Sequence, residues 1–421
     1  MSTTDPVPVA TGRVFRGWFV VAGVFCMLLI TAGLGFYGLP VYLRALTQEQ
    51  GFSVGAVSGA TAVFFLVSGV AGIPVASWMA RHDPRPLVAA GAVVSGLSLV
   101  LLGRVSEVWQ VYLAYALFGA GFAASSLIPG TTLVTRWFAR RRSVALSVAS
   151  TGLSAGGVLI TPLMATLVRD EGLSTVAPYL GVALVLGVVP LTAWLLRPSP
   201  QALGLQPDGD PLPPPGSPAV YLGELAATAL RSRYFATVTA AQLLAMMAQV
   251  GGIAHLYNLV ADRRDAGLAA TALSLLAASS LVGRLLGGVV ATAVSMRGLT
   301  VVLMVAQGLA LVALAAVQSP AVLLMTTVAF GLTVGNLLML HPLLLAERFG
   351  VRDYAHIYSR SQLVATFGVA LGPAFIGTLH DVVDGYGIAF AVAGAASFVG
   401  AVVLSVSGPT RVDAHVLEEA A

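Results

Sequence analysis

The chain has 421 residues, of which 57% are hydrophobic and only 10% charged, and its mean hydropathy is +0.89. An ordinary soluble protein is about 25% charged, so a soluble globular fold is excluded. The 22 basic residues are all arginine and stand against 18 acidic ones, a net charge of +4; without lysine there is neither Schiff-base chemistry nor a P-loop.

The apolar residues fall in runs long enough to cross a hydrocarbon core of ~30 Å as helix. The first run, 17–42, follows Arg13 and Arg16. It is longer than a signal-peptide core and lacks a small-residue cleavage site, so it reads as an uncleaved first helix. In chain order the spans are expected near 17–43, 53–79, 87–103, 108–137, 143–168, 176–196, 234–260, 266–295, 299–317, 320–349, 354–380 and 386–407. The expected fold is therefore an all-α membrane protein with twelve transmembrane helices in two pseudo-symmetric six-helix bundles.

Counting loops from a cytoplasmic N-terminus puts sixteen arginines inside and five outside. That asymmetry predicts a multi-pass protein of the cell (inner) membrane with both termini cytoplasmic. It also accounts for the basic balance without nucleic acid. The single cysteine, Cys26, lies in the first span, so no intrachain disulfide and no cysteine metal site can form.

Between the sixth and seventh spans, Arg197 to Arg231 holds eight of the 22 prolines, including Pro213-Pro214-Pro215. This stretch is expected to be neither helix nor span but a solvated linker. The predicted division is 1–196 for the N-terminal bundle, 197–233 for the Pro-rich cytoplasmic linker, and 234–421 for the C-terminal bundle with a short cytoplasmic tail. The halves echo each other: Leu66-Val67-x4-Gly72 matches Leu281-Val282-x4-Gly287, Phe118-Gly119 matches Phe330-Gly331, Thr166-Leu167 matches Thr378-Leu379, and Pro162 matches Pro373. The offset stays between 211 and 215, which indicates duplication. Parallel repeats of this kind place a substrate site between the halves near the midplane.

Three stretches then suggest a family. Trp137-Phe138-Ala139-Arg140-Arg141-Arg142-Ser143-Val144-Ala145, followed by Gly152 and Gly156, resembles the signature leading into the fifth helix of monocarboxylate transporters. Arg16-Gly17-Trp18 resembles the motif opening their first helix. Leu371-Gly372-Pro373-x3-Gly377-x3-Asp381 with Gly385-Tyr386-x2-Ala389-Phe390 resembles their pattern over helices 11 and 12. The chain thus resembles a major facilitator superfamily transporter, in the monocarboxylate-transporter and oxalate/formate-exchanger-like branch. The resemblance implies an anchoring role for the arginine of the eighth span and a gating role for the loop Arg81-His82-Asp83-Pro84-Arg85. It also shows departures. The animal carriers' lysine of helix 1 aligns with Tyr37, the oxalate exchanger's lysine of helix 11 has no equivalent, and the animal carriers' aspartate four residues before the arginine is Ser280.

Arg284 is the one arginine placed deep in a span, within four residues of the expected centre of the eighth. A guanidinium there costs about 3 kcal/mol on insertion scales, and such groups face a cavity or a partner. No acidic residue lies near a midplane. An anionic substrate is then the natural partner for a fork that suits a carboxylate, the competing reading being a guanidinium bonded to backbone carbonyls. The other candidate contacts are Tyr37, Asn336, His255, Gln249 and Ser126, with hydroxyls such as Ser126 equally able to bond their own helix. His255 and His341 are read as the only histidines within spans, hence the candidates for proton coupling. Two histidines without acidic co-ligands argue against a metal, and no residue pattern calls for a cofactor or an enzymatic reaction.

The functional expectation is a secondary active transporter of small organic anions, mono- or dicarboxylates, by alternating access with proton symport or anion exchange (antiport). Its partners are that substrate, protons or a counter-anion, and the lipid bilayer, and a monomer is expected. Efflux of a natural product or drug is the alternative, and a non-transporting receptor or enzyme a third.

Overall fold

The computed structural model describes residues 15–210, 223–383 and 385–408. The proline triplet 213–215, Arg13, Arg411 and the tail from 409 on lie outside the described residues. Among the described residues, twelve membrane-length helices make up the fold. They are α1 (Gly17–Glu49), α2 (Val54–Arg81), α3 (Pro84–Leu102), α4 (Val108–Trp137), α5 (Arg142–Glu171) and α6 (Leu173–Trp194) in the first half. The second half holds α7 (Arg233–Arg263), α8 (Ala266–Val290), α9 (Met296–Ala316), α10 (Pro320–Phe349), α11 (Tyr354–Val383) and α12 (Tyr386–Ser405).

Many helices start where a short polar side chain accepts an otherwise unpaired backbone N–H. Ser53 accepts from Ala56, Asp83 from Arg85, Ser232 from Phe235, Asp265 from Leu268 and Ser295 from Gly298, at 2.8–3.2 Å. Two spans expected to be continuous are broken. α1 is interrupted by a π-helical stretch over Ala32–Phe36, and α4 breaks at Ser126 between Val108–Ser125 and Leu127–Trp137. α8 ends at Val290, not 295, so Arg284 lies in the half of its helix nearer the linker, six residues from the end, and not at the centre.

The duplication is visible in the packing. In the first half α1 packs on α5, α2 on α4 and α3 on α6; in the second, α7 packs on α11, α8 on α10 and α9 on α12. In a bilayer such seams depend on close van der Waals approach, which small residues allow. A Cβ on Gly152 of α5 would strike the Phe25 backbone of α1, and one on Gly372 of α11 would strike that of Met247 in α7. The main contacts between the halves obey the same symmetry, α2 against α11 and α5 against α8. They run from mid-height, where Gly69 meets Leu363 and Thr366, to the linker end, where Gly288 meets Ser147.

The linker is not free of helix, contrary to expectation: its described residues include two 3-10 turns and a short helix, Ala226–Ala229. Its prolines end at Pro218, so nothing bars the helix at Ala226–Ala229, while the 3-10 turns begin at or just after a proline, Pro200 and Pro207, whose fixed φ suits a first turn. It is anchored on both halves. The Asp208 carboxylate accepts from the N–H groups of Ala139 (2.9 Å) and Arg140 (2.7 Å) at the start of α5, and Asp210 pairs with Arg140 at 2.5 Å. Asp208 has φ 59°, a left-handed conformation that aspartate tolerates. On the other half, Glu224 pairs with Arg348, the two side chains only 17% exposed, and Asp353 accepts from the Ala226 N–H at 2.9 Å.

Candidate substrate site between the two halves

Arg284 owes its position to the residues around it. A Cβ on Gly283 would strike the backbone of Leu332 in α10, and one on Gly288 the side chain of Ser147 in α5, so glycines press this stretch of α8 between two helices. Gly335 of α10 leaves the room that the Arg284 Nε occupies. The arginine is only 2% exposed. Its Nη1 donates to the backbone carbonyl of Ser150, and its own carbonyl accepts from the Ser147 hydroxyl at 2.5 Å. Part of the competing reading therefore holds, since the guanidinium does bond a carbonyl, although one on a helix of the opposite half. Its Nε is buried without a partner, and among the described residues no carboxylate pairs with it.

Tyr37 follows directly on the π-helical stretch of α1, whose extra residue per turn re-aims what comes next. Its ring lies on Gly157 of α5, and its phenol reaches Ser154 and comes within electrostatic range of Arg284. Its packing contacts are with α5 of its own half, and it is 36% exposed where Arg284 is almost wholly buried. Asn336 of α10 lies against Gly287, one turn from Arg284. Its Nδ2 donates to the Leu332 carbonyl at 2.8 Å, while its Oδ1 is buried with no partner. Arg284, Tyr37 and Asn336 are thus brought together, with an unpaired donor and an unpaired acceptor among them.

The remaining candidates are not brought to Arg284. Ser126 is buried at the break in α4 and Gln249 is buried in α7, each with an unpartnered side-chain oxygen. His255 sits within the second half, its Nε2 3.0 Å from the Pro373 carbonyl and its Nδ1 3.4 Å from the Tyr386 hydroxyl. His341 is buried, its Nε2 2.7 Å from the Ser361 hydroxyl, which is 2.8 Å from that of Thr239. These two are not the only histidines on membrane helices, because α11 begins beside His356 and carries His380 near its end. In the α2–α3 loop, Asp83 and Arg85 pair with each other at 2.6 Å, while Arg81 is exposed and within electrostatic range of His356. Burial opposes ionisation of Asp83, but the side-chain and backbone hydrogen bonds from Arg85 outweigh it and hold the carboxyl below its usual range.

Ser147 and Ser150 were not singled out from sequence. The available signal is the run of small residues from Ser143 to Gly157, which marks a face built for close helix contact.

Two pseudo-symmetric six-helix bundles, meeting around a buried cation, define a two-half membrane carrier. A profile of the Major Facilitator Superfamily matches residues 23–345. The chain is 31% identical to monocarboxylate transporter 13 of Bos taurus over 340 residues, 79% of this chain and 76% of that one. It is 26% identical to the fujikurins efflux protein of Gibberella fujikuroi over 185 residues, 43% and 39% of the two chains. In structure it is similar to the E. coli fucose:proton symporter, with a TM-score of 0.69 at 15% identity over 93% of this chain and 98% of that one. The protein is a transporter of the Major Facilitator Superfamily, in the branch of the monocarboxylate transporters.

Proposed function

We propose that the protein is a secondary carrier of small organic anions, mono- or dicarboxylates, in which Arg284 anchors the substrate carboxylate and Tyr37 and Asn336 flank it. The observation that carries this reading is a buried guanidinium with a free Nε and no carboxylate partner among the described residues. A buried cation without a counter-charge is costly, and a carboxylate ligand relieves that cost with a bidentate, charge-assisted pair. Residues 1–196 and 234–421 are the two moving bodies and 197–233 the linker between them. The arginine asymmetry supports a cytoplasmic linker, cytoplasmic termini and residence in the cell membrane. The proposed entry, a cleft beside Tyr37 opening away from the linker, then faces outward. A substrate entering it competes with the Ser150 carbonyl for the guanidinium, and losing that hold weakens the α5–α8 seam on the inner side, which couples binding to inner opening.

Coupling runs by proton symport or anion exchange. His255 and His341, which lie farther from their helix ends than His356 and His380 do, are the side chains we propose for carrying a proton, the other carrier being the substrate carboxylate itself. The monomer is the proposed state, with no enzymatic step and no resident cofactor or metal. Ser126 and Gln249, whose unpartnered oxygens are buried in α4 and α7, are the further residues we assign to the substrate's path. A second reading, export of a natural product, draws on the likeness to the fungal efflux protein. Purified protein in proteoliposomes, assayed with a panel of radiolabelled mono- and dicarboxylates beside dye export from expressing cells, separates the two. Saturable carboxylate uptake is expected; dye export with no carboxylate uptake would overturn the proposal.

A further inference from the structure

A cavity of about 800 Å³ lies at the linker end, and none of Arg284, Tyr37 and Asn336 lines it. It is walled by the ends of α2, α4 and α5, the linker turns at Gln201 and Gln206, and the loop joining α10 to α11. We propose that it is a binding site for a phosphate-class anion, free or carried on a lipid headgroup, and that it exists only while the two halves are closed at this end.

The lining is strongly cationic. Arg81, Arg136 and Arg142 come from three segments of the first half and Arg352 from the second, with His356 beside them. Arg81, Arg142 and Arg352 form no ion pair with a described residue. The nearby acids are committed to backbone. Asp353, in the lining itself, accepts the Ala226 N–H, and Asp208, within electrostatic range of Arg142, caps the start of α5. An excess of arginine in cytoplasmic loops follows from the positive-inside rule. That rule does not explain why arginines from four segments converge on one void. Nor does it explain the Thr132 hydroxyl in the same lining, buried to 2% with no hydrogen-bond partner. Convergent guanidinium groups with an added hydroxyl donor suit the several oxygens and double charge of a phosphate.

The cavity also has a lateral approach. A groove of about 510 Å³, lined by Ile73, Pro74 and Trp78, shares Arg81, His82 and His356 with it. Trp78 is 44% exposed, as an aromatic at a bilayer interface is. Basic pockets between helices on the cytoplasmic side take anionic headgroups, so the shared chemistry can arrive from solvent or from the membrane. Because both halves supply ligating groups, separating them dismantles the site. An occupant therefore stabilises the inner-closed state by binding it preferentially.

The test uses the full chain in nanodiscs of neutral phosphatidylcholine, titrated calorimetrically with inorganic pyrophosphate, and in nanodiscs containing phosphatidylglycerol, followed by thermal unfolding. The variants are Arg81→Gln/Arg352→Gln and Thr132→Val, each first checked for wild-type unfolding in neutral lipid without probe. One saturable pyrophosphate site, weakened about tenfold or more by the double substitution and less by Thr132→Val, supports a free-anion site. No pyrophosphate binding, but stabilisation by phosphatidylglycerol that the double variant loses, supports a headgroup site. Absence of both effects, or effects equal in wild type and both variants, overturns the proposal. The outcome is independent of which substrate the outer cleft takes.

Discussion

Asn336 offers a test of the proposed site by the charge it lacks. Its carboxamide stands one turn from Arg284 with a free oxygen, so Asn336→Asp would place a carboxylate, of nearly the same shape, beside the guanidinium. Anion uptake is expected to fall about tenfold or more, because a resident opposite charge replaces the substrate as partner; unchanged uptake at normal expression would show that Asn336 does not face the anchor. For the histidines, substrate-driven proton movement in proteoliposomes is to be compared among wild type, His255→Gln and His341→Gln. Loss in either variant assigns the relay to that residue, and persistence in the double variant leaves the proton on the substrate. Arg284 was legible in the sequence because a guanidinium inside an apolar run needs a reason. Its bond to the Ser150 carbonyl was not, since a backbone acceptor on another helix has no sequence signature until the halves are packed.

Helices of this length and apolarity are the easiest elements to read, and the twelve expected spans fall within a few residues of the observed ones. The breaks in α1 and α4 escaped because hydropathy does not register backbone groups satisfied inside the protein. The α5–α8 seam carries a prediction. Gly288→Leu cannot be seated against Ser147 without prising these helices apart. In a Cys26→Ser background, a cysteine replacing the buried Ser143 is expected to react faster with an impermeant thiol reagent applied from the linker side when Gly288→Leu is present. An equal rate would mean that the seam is not the inner gate. The α2–α3 loop bears on pH. The carboxyl of Asp83 is depressed by Arg85, so its contribution is complete above the ordinary carboxylate range and is lost only as pH falls through the lower folded value. Any change in transport between pH 5 and 8 must then come from elsewhere, and Asp83→Asn is expected to leave the shape of that pH profile intact.

For the molecule as a whole, the duplicated signals at an offset near 213 foretold two bundles, and the pairing of α1 with α5 and α7 with α11 carries the duplication into space. The linker anchors were hidden, because Asp208 and Glu224 read as ordinary loop acids until the halves they grip are in place. Orientation is tested by Pro211→Cys in the Cys26→Ser background, which only membrane-permeant thiol reagents should label in intact cells; labelling by an impermeant reagent would invert the topology. The account as a whole turns on the proposal that Arg284 meets a substrate carboxylate between the two halves. The most direct measurement is uptake of the best radiolabelled carboxylate by wild type and Arg284→Lys reconstituted at equal density. Retaining the charge but losing the planar fork should raise the half-saturating concentration about tenfold or more while the protein still inserts and folds. Identical kinetics in the two proteins would contradict it.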